Sequence, residues 1–316
     1  MAKTPYIMKK GVSRVNDLVG GRAVLGMGIG NVYYVVKSAE AFYAQFVEDH
    51  QGEYSDGSEI VHTTIQSALD ATVECRNDYV IVSPSNSDYD LTAALTMSKK
   101  SVHLICPGGL GYDMGASNAA RIEQTTDSTA IIAVSDAAVE IAGFYLKPYY
   151  GQSHITLAAT SYAPLIHHNT FVLKWETGGA NKPAIAGTGD ACAWGGIERN
   201  WFVSQAGDDQ TCPVVVDIKA SATAARFNYN EMTLGDGNTA TIGISNAATK
   251  GTVNYNLFNN AGSDATWTHC ISIGSYGSAI GNRGTVADSI LVTGGAAGVS
   301  LSDNMNGASG GAIDEA

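Results

Sequence analysis

Asn169-Thr170-Phe171 recurs along the chain as Asn200-Trp201-Phe202, as Asn228-Tyr229 and as Asn256-Leu257-Phe258, with Asn282 ahead of Val286 as a weaker copy. Each copy sets an asparagine just before an aromatic or large apolar side chain. The asparagines are 31, 28, 28 and 26 residues apart (169 to 200, 228, 256 and 282), and Gly143-Phe144 is an earlier copy without asparagine. A variable period in this range is the signature of a solenoid whose coils differ in loop length. In a parallel solenoid, equivalent residues stack about 4.8 Å apart. Asparagine tolerates the left-handed conformation of a turn residue, and stacked amides can hydrogen-bond along the axis as a ladder. The apolar residue that follows is then expected to point inward. These features predict an all-β fold, a parallel β-helix.

Outward from the repeat, the chain is one short strand after another. Ala130-Ile131-Ile132-Ala133-Val134, Val139 to Phe144, Pro213 to Ile218 and Ser289 to Val292 are β-branched runs bounded by turn residues. Asn77 to Pro84, residues 89–97 and Ser101 to Gly109 read the same way. Residues 31–37 read as a strand, and 38–50 as a helix capped by Ser38. A second helix over 63–72 opens on Thr63-x-x-Gln66, a capping-box pattern, with Ile65, Ala68 and Leu69 as its apolar stripe. It is placed to plug the first coil, where open strand edges invite aggregation. The organisation that follows is a basic N-terminal arm over 1–30, a small strand–helix connecting segment over 31–60, the β-helix over 61–301 and a flexible C-terminal tail over 302–316.

Composition agrees with that organisation. Of the 316 residues 45% are hydrophobic and only 15% charged, with 36 glycines and 7 prolines, which suits many strands joined by tight turns and excludes a disordered chain. The net charge is -12. Residues 1–22 hold Lys3, Lys9, Lys10, Arg14 and Arg22 against Asp17, which is +5 - 1 = +4, so the remainder carries -12 - 4 = -16. A basic arm on an acidic body argues against nucleic acid as a partner. The arm suits docking on an acidic protein surface, or a solvated terminus. The five cysteines, Cys75, Cys106, Cys192, Cys212 and Cys270, are an odd number with no CxxC spacing, and are expected as free thiols buried as small hydrophobes in a reducing compartment. No signal-peptide pattern and no 18-residue apolar run is present, so a soluble chain made in the cytoplasm, without a membrane partner, is expected.

Candidate chemistry is sparse. Glycoside hydrolysis needs two carboxylates about 5–10 Å apart, and Asp208-Asp209, with Asp190 one coil earlier, are the residues to consider; a glycine-flanked Asp-Asp is also an ordinary solvated turn. Asp217 and Lys219 share a strand face, but Arg199 and Arg226 lie on other segments, without the calcium-binding carboxylate set of a lyase. His167 and His168 are adjacent on a strand, so they are expected on opposite faces, one inward and one outward. Gly26-Met27-Gly28-Ile29-Gly30 lacks the dinucleotide-binding spacing and reads as a hinge. Trp201 is expected in the core, and Trp175 and Trp194 as exposed aromatics suited to a subunit interface or a sugar. No catalytic, cofactor-binding or metal-ligating set is predicted.

Thr64 to Pro84, a TIQSALDA helix followed by a strand ending VIVSP, and Ile131 to Leu146, with its VEIAGF strand, resemble the first coils of pectate-lyase-like right-handed parallel β-helices. The superfamily contains polysaccharide lyases and hydrolases, and β-helices without catalytic residues in bacteriophage virions, as tailspikes, fibre components and capsid decorations. The arm, low charge and free thiols are more similar to the virion group. The resemblance implies a right-handed solenoid. It further implies a structural virion component rather than an enzyme: a capsid decoration protein that forms a homo-oligomer, with a trimer favoured, and docks on the major capsid protein or another virion protein through residues 1–30. The alternative is a tailspike-like protein that binds or degrades a host glycan. No cofactor is implied.

Overall fold

In the computed structural model, residues 30–306 and Gly311–Ala312 are described, apart from 51, 55–56, 111–117, 128–129, 177–180, 205–209, 220–221, 262–264, 285–289 and 294–297. Three sheets of eleven, ten and eight strands run along the molecule. Successive strands visit the three sheets in turn: Glu140–Ala142 lies in the first, Phe144–Lys147 in the second and Ser153–Leu157 in the third, before Leu165–His167 returns to the first. Coil-to-coil pairing is parallel throughout, from the pairing of Asp78–Val82 with Val102–Ile105 to that of Ser278–Ile280 with Ser300–Ser302. The chain is a right-handed parallel β-solenoid. Its eight full coils make a rod about 40 Å tall at the usual strand spacing.

The core is a set of columns, because parallel in-register pairing stacks like residues. In the first sheet Leu104, Ile141, Ile166, Ile197, Phe227 and Val253 stack inward. In the second, Ile122, Leu146, Phe171, Phe202, Met232 and Phe258 do so, with the Phe171 and Phe202 rings parallel at 4.5 Å. In the third, Ile132, Ile155, Ile185, Val216 and Ile244 form the wall. All of these are buried. Two expected placements change. Trp201 pairs with Thr170 and Glu231 and is only half-buried, because Phe202 takes the inward position beside it. Trp175 is buried at 3% exposure.

The asparagine ladder exists, with a shifted register. Its rungs are Asn169, Asn200, Asn230, Asn256, Asn282 and Asn304, all buried. The third rung is Asn230 rather than Asn228, which lies in the strand Arg226–Asn228. The rungs are 31, 30, 26, 26 and 22 residues apart. From Asn200 onward each rung's Oδ1 accepts from the backbone N–H and the Nδ2 of the rung before, as Asn256 does from Asn230 at 2.9 and 3.0 Å, while the Asn169 Oδ1 accepts from the Phe144 N–H at 3.0 Å. The left-handed residue is the one ahead of the rung: His168, Arg199, Tyr229, Tyr255 and Asp303 have φ between 53° and 58°, while Gly143 and Gly281 take the same place at 82° and 65°. The turn is thus made by the preceding residue. The asparagine follows it to satisfy the backbone groups that the turn buries.

The N-terminal end is closed by more chain than expected. Val32–Val35 pairs with Asp78–Val82 on one side and Val61–His62 on the other, so the connecting segment adds a strand to the first sheet and Val61–His62 forms its edge. A short helix, α1 (Tyr43–Asp49), follows. Ser38 does not cap it: Glu40 instead accepts hydrogen bonds from Ser85 Oγ and the Asn86 N–H, which holds residues 38–42 in a turn and delays the helix. Helix α2 (Ile65–Ala71) buries Ile65, Ala68 and Leu69 as expected. Its cap is Thr64, one residue later than the sequence pattern suggests, and accepts from the Ser67 N–H at 3.2 Å. Gln66 is diverted to dock the helix, its Oε1 accepting from the Thr96 N–H at 2.8 Å. At the other end Ser300–Ser302 and Met305–Asn306 are strands, and Gly311–Ala312 returns antiparallel to Met305–Asn306, so part of the expected tail belongs to the solenoid. Residues 1–29 of the expected arm, with most of its glycine-rich hinge, lie outside the described residues.

Candidate functional site

The outer face of the first sheet carries a cluster that no short motif announces. In register, Tyr79, His103 and Glu140 occupy one outward column, and Ala142, His167 and Glu198 the next. Glu140 therefore has a histidine on the coil before and another on the coil after. His103 Nδ1 donates to its Oε2 at 2.5 Å and His167 Nε2 to its Oε1 at 2.7 Å. The Tyr79 ring lies parallel to His103 at 4.3 Å, and Asn77 Oδ1 stands 2.8 Å from His103 Nε2. Glu140 is 7% exposed. Burial pushes its carboxyl up, but the hydrogen bonds from His103 and His167, with the charge these imidazoles carry when protonated, outweigh burial and hold it down at about 2.

The chain continues from His167 to His168, whose Nδ1 atoms are 2.7 Å apart. The expectation of opposite faces fails because His168 has φ 53° and ends the strand, so alternation no longer applies and both rings stand on the outer face. Burial, with the charges of His167 and Arg199, lowers the His168 imidazole to about 4. The resulting array, His103–Glu140–His167–His168, is a carboxylate orienting two imidazoles with a third imidazole in series. Such an array fixes tautomers and can pass a proton along its length. Among the described residues no group of three or more His, Cys, Asp or Glu side chains is placed to hold a metal ion.

Further along the same face, the left-handed corners present stacked side chains to solvent. The Tyr229 and Tyr255 rings lie parallel at 5.2 Å, and the Arg199 guanidinium sits 5.8 Å over Tyr229. A Cβ on Gly281 would come within 2.6 Å of the Tyr255 ring, so that ring covers the glycine. Across the sheet, the corners before each first-sheet strand include Ala163, Trp194 and Ala224, again with positive φ. Trp194, flanked by the two alanines, is 64% exposed.

The remaining candidates do not converge. Asp190 lies in the turn before Trp194, and Asp208 and Asp209 lie outside the described residues. Asp217 accepts from Lys219 Nζ on the third sheet, whereas Arg226 faces Glu198 at 3.5 Å on the first. Tyr149 and Tyr150 are exposed neighbours, with Lys174 Nζ 4.0 Å from the Tyr150 ring. Trp267 is core, edge-on to Phe258. Of the cysteines, Cys75 is exposed and the other four are buried; burial pushes the Cys192 and Cys212 thiols up to about 12, so these stay protonated and unreactive.

No protein-family model, curated protein or solved structure matches this chain. The eight-coil parallel solenoid is consistent with the pectate-lyase-like fold. Among the described residues no helix is long and apolar enough to cross a membrane. Sequence reasoning missed His103 and Glu140 because they are 37 residues apart, and only coil register makes them neighbours.

Proposed function

We propose that this chain is a structural component of a bacteriophage virion, a capsid decoration protein held through its basic N-terminal segment. The observation that carries the reading is the way the chain enters the solenoid. Asp78 is fully buried; its Oδ1 accepts from the Asn31 N–H at 2.8 Å, its Oδ2 from the Val73 N–H at 2.7 Å, and Arg76 pairs with it at 2.7 Å. The Gly30 N–H donates to the Asn77 carbonyl at 3.0 Å. A segment of charge +4 over residues 1–22 therefore joins an acidic rod at a clamped point on its capped end. That geometry transmits a tether's load into the sheet rather than into a loop. The rod needs no disulfide to be stiff, since its ladder and core columns cross-link every coil.

The test is a mass-spectrometric survey of purified virions from the source culture, with copy number relative to the major shell protein. Hundreds of copies per particle support decoration. A few copies favour a tail spike, and absence overturns the virion reading. A variant lacking residues 1–29 should fold and fail to rebind stripped particles.

A host-glycan-binding role is the second reading, and Trp194 favours it. Its alanine neighbours leave the indole faces uncovered, and a free aromatic face is what a sugar ring stacks on. The stacked Tyr229 and Tyr255 offer no such face. Tryptophan fluorescence that stays constant across a glycan panel would remove this reading.

A further inference from the structure

We propose that His167 and His168 form a clasp closed by one shared proton, and that acid opens it by releasing the His168 ring outward into solvent. Glu140 is an ionised carboxylate and only accepts, so each histidine nitrogen facing it carries a proton: Nδ1 of His103 and Nε2 of His167. A neutral His167 then has a bare lone pair on Nδ1. That lone pair faces His168 Nδ1 at 2.7 Å, a separation that requires one proton between the two nitrogens and has no room for two. The proton belongs to His168, whose Nε2 is left as the lone pair at the end of the array.

One further proton breaks this arrangement when it lands on His167 Nδ1, because two N–H groups then oppose each other. On His168 Nε2 it would leave the N–H···N bond in place but hold a cation on a half-buried corner beside Arg199, whereas on His167 it lies beside the Glu140 carboxylate. The groups that face the clasp all push the same way. Glu140, on the preceding coil, keeps the His167 ring fixed through its other nitrogen. Glu198, next to His167 in its outward column, pairs with Arg226. Arg199, next to His168 along the corner column, is a cation and repels a second one. His167 is therefore pinned from behind and His168 is the ring free to leave. Burial and the Arg199 charge both lower the His168 imidazole, the direction expected of a group kept neutral by its surroundings. The left-handed backbone at His168 sets the ring on a corner rather than inside the wall, so it can leave without unpairing a strand.

The experiment is histidine-selective 15N NMR of the full chain between pH 8 and pH 4. At pH 8 we expect His168 protonated on Nδ1, His167 on Nε2, and a through-hydrogen-bond coupling between the two Nδ1 nuclei. On acidification the coupling should vanish. Asparagine keeps the left-handed backbone, so His168→Asn should fold and should move the His167 Nδ1 resonance at pH 8, because its hydrogen-bond donor is gone. Finding His168 protonated on Nε2 at pH 8, finding no coupling at any pH, or finding the His167 Nδ1 resonance unmoved in His168→Asn would each overturn the proposal. The wild-type tautomer measurement does not depend on the variant folding.

Discussion

Asn230 Oδ1 accepts two hydrogen bonds from Asn200, from its backbone N–H at 3.0 Å and from its Nδ2 at 3.1 Å. The Asn230 Nδ2 also donates to the Ile197 carbonyl at 2.8 Å. One buried amide thus satisfies polar groups on neighbouring coils. Asn230→Ala leaves two donors and a carbonyl unpaired in the core, and at about 1–3 kcal/mol per unsatisfied group the loss should be about 3 kcal/mol or more. Asn228 makes only a 3.4 Å contact to Glu198 on the surface, so Asn228→Ala should cost about 1 kcal/mol or less. Urea denaturation of both variants checks the register; equal losses would mean that the ladder is drawn through the wrong residue.

The left-handed corners predict opposite signs for two exchanges. Ala224 has φ 56°, a conformation that costs an L-residue about 1–2 kcal/mol, so Ala224→Gly should stabilise by about 0.5–1 kcal/mol after the entropy of a freer unfolded chain is subtracted. Gly143 has φ 82°, and a Cβ there would stand 2.1 Å from the Cys106 carbonyl oxygen. Gly143→Ala should therefore destabilise by more than about 1 kcal/mol. Thermal unfolding midpoints report both, and a lower midpoint for Ala224→Gly would contradict the corner assignment.

Acid should weaken the fold in two stages. His154 is fully buried, donating from Nε2 to the Val172 carbonyl, and burial lowers it to about 3; His168 is lowered to about 4. Both sit below the usual imidazole value of 6.5, so below that pH the unfolded chain binds more protons and stability falls as pH falls toward 3. Glu140, held at about 2 against the usual 4.5, contributes stability that is complete above 4.5 and is lost as pH falls through 2. Denaturant midpoints measured from pH 8 to pH 2 should fall throughout. His154→Leu should flatten the upper stage and Glu140→Gln the lower; unchanged slopes in both would show that other groups control acid unfolding.

The inward columns predict unequal roles for two adjacent aromatics. Phe202 is buried between Phe171 and Met232, and Phe202→Ala should cost about 3–5 kcal/mol. Trp201 lies on the outer face, and Trp201→Ala should cost less despite deleting the larger ring. The order of the two losses, from chemical denaturation, tests which of them points inward.

Much of this fold is written in the chain. The Asn-x-Phe recurrence, the α2 stripe of Ile65, Ala68 and Leu69, and the β-branched runs are local signals, and each became the predicted element. Differences arose between near neighbours. Trp201 stood in for Phe202, since a side-chain period of two makes a slip of one residue reverse the face; Thr63 stood in for Thr64 at the helix cap; and Asn228 stood in for Asn230, two residues on, beyond the left-handed turn at Tyr229. Ser38 failed as a cap because Glu40 is captured by Ser85 and Asn86, 45 and 46 residues away.

The sequence by itself determined the solenoid, its period, its capping helix and the charge contrast between residues 1–22 and the rest, because these depend on residue types within a coil. Tertiary structure alone decided which coil positions meet. His103, Glu140 and His167 become one cluster only because coils of unequal length bring residues 37 and 27 apart into contact. His167 and His168 share a face only because the left-handed turn that begins each ladder rung breaks strand alternation there. Coil length and corner conformation are set by packing against the coils above and below, and a linear sequence does not display that packing.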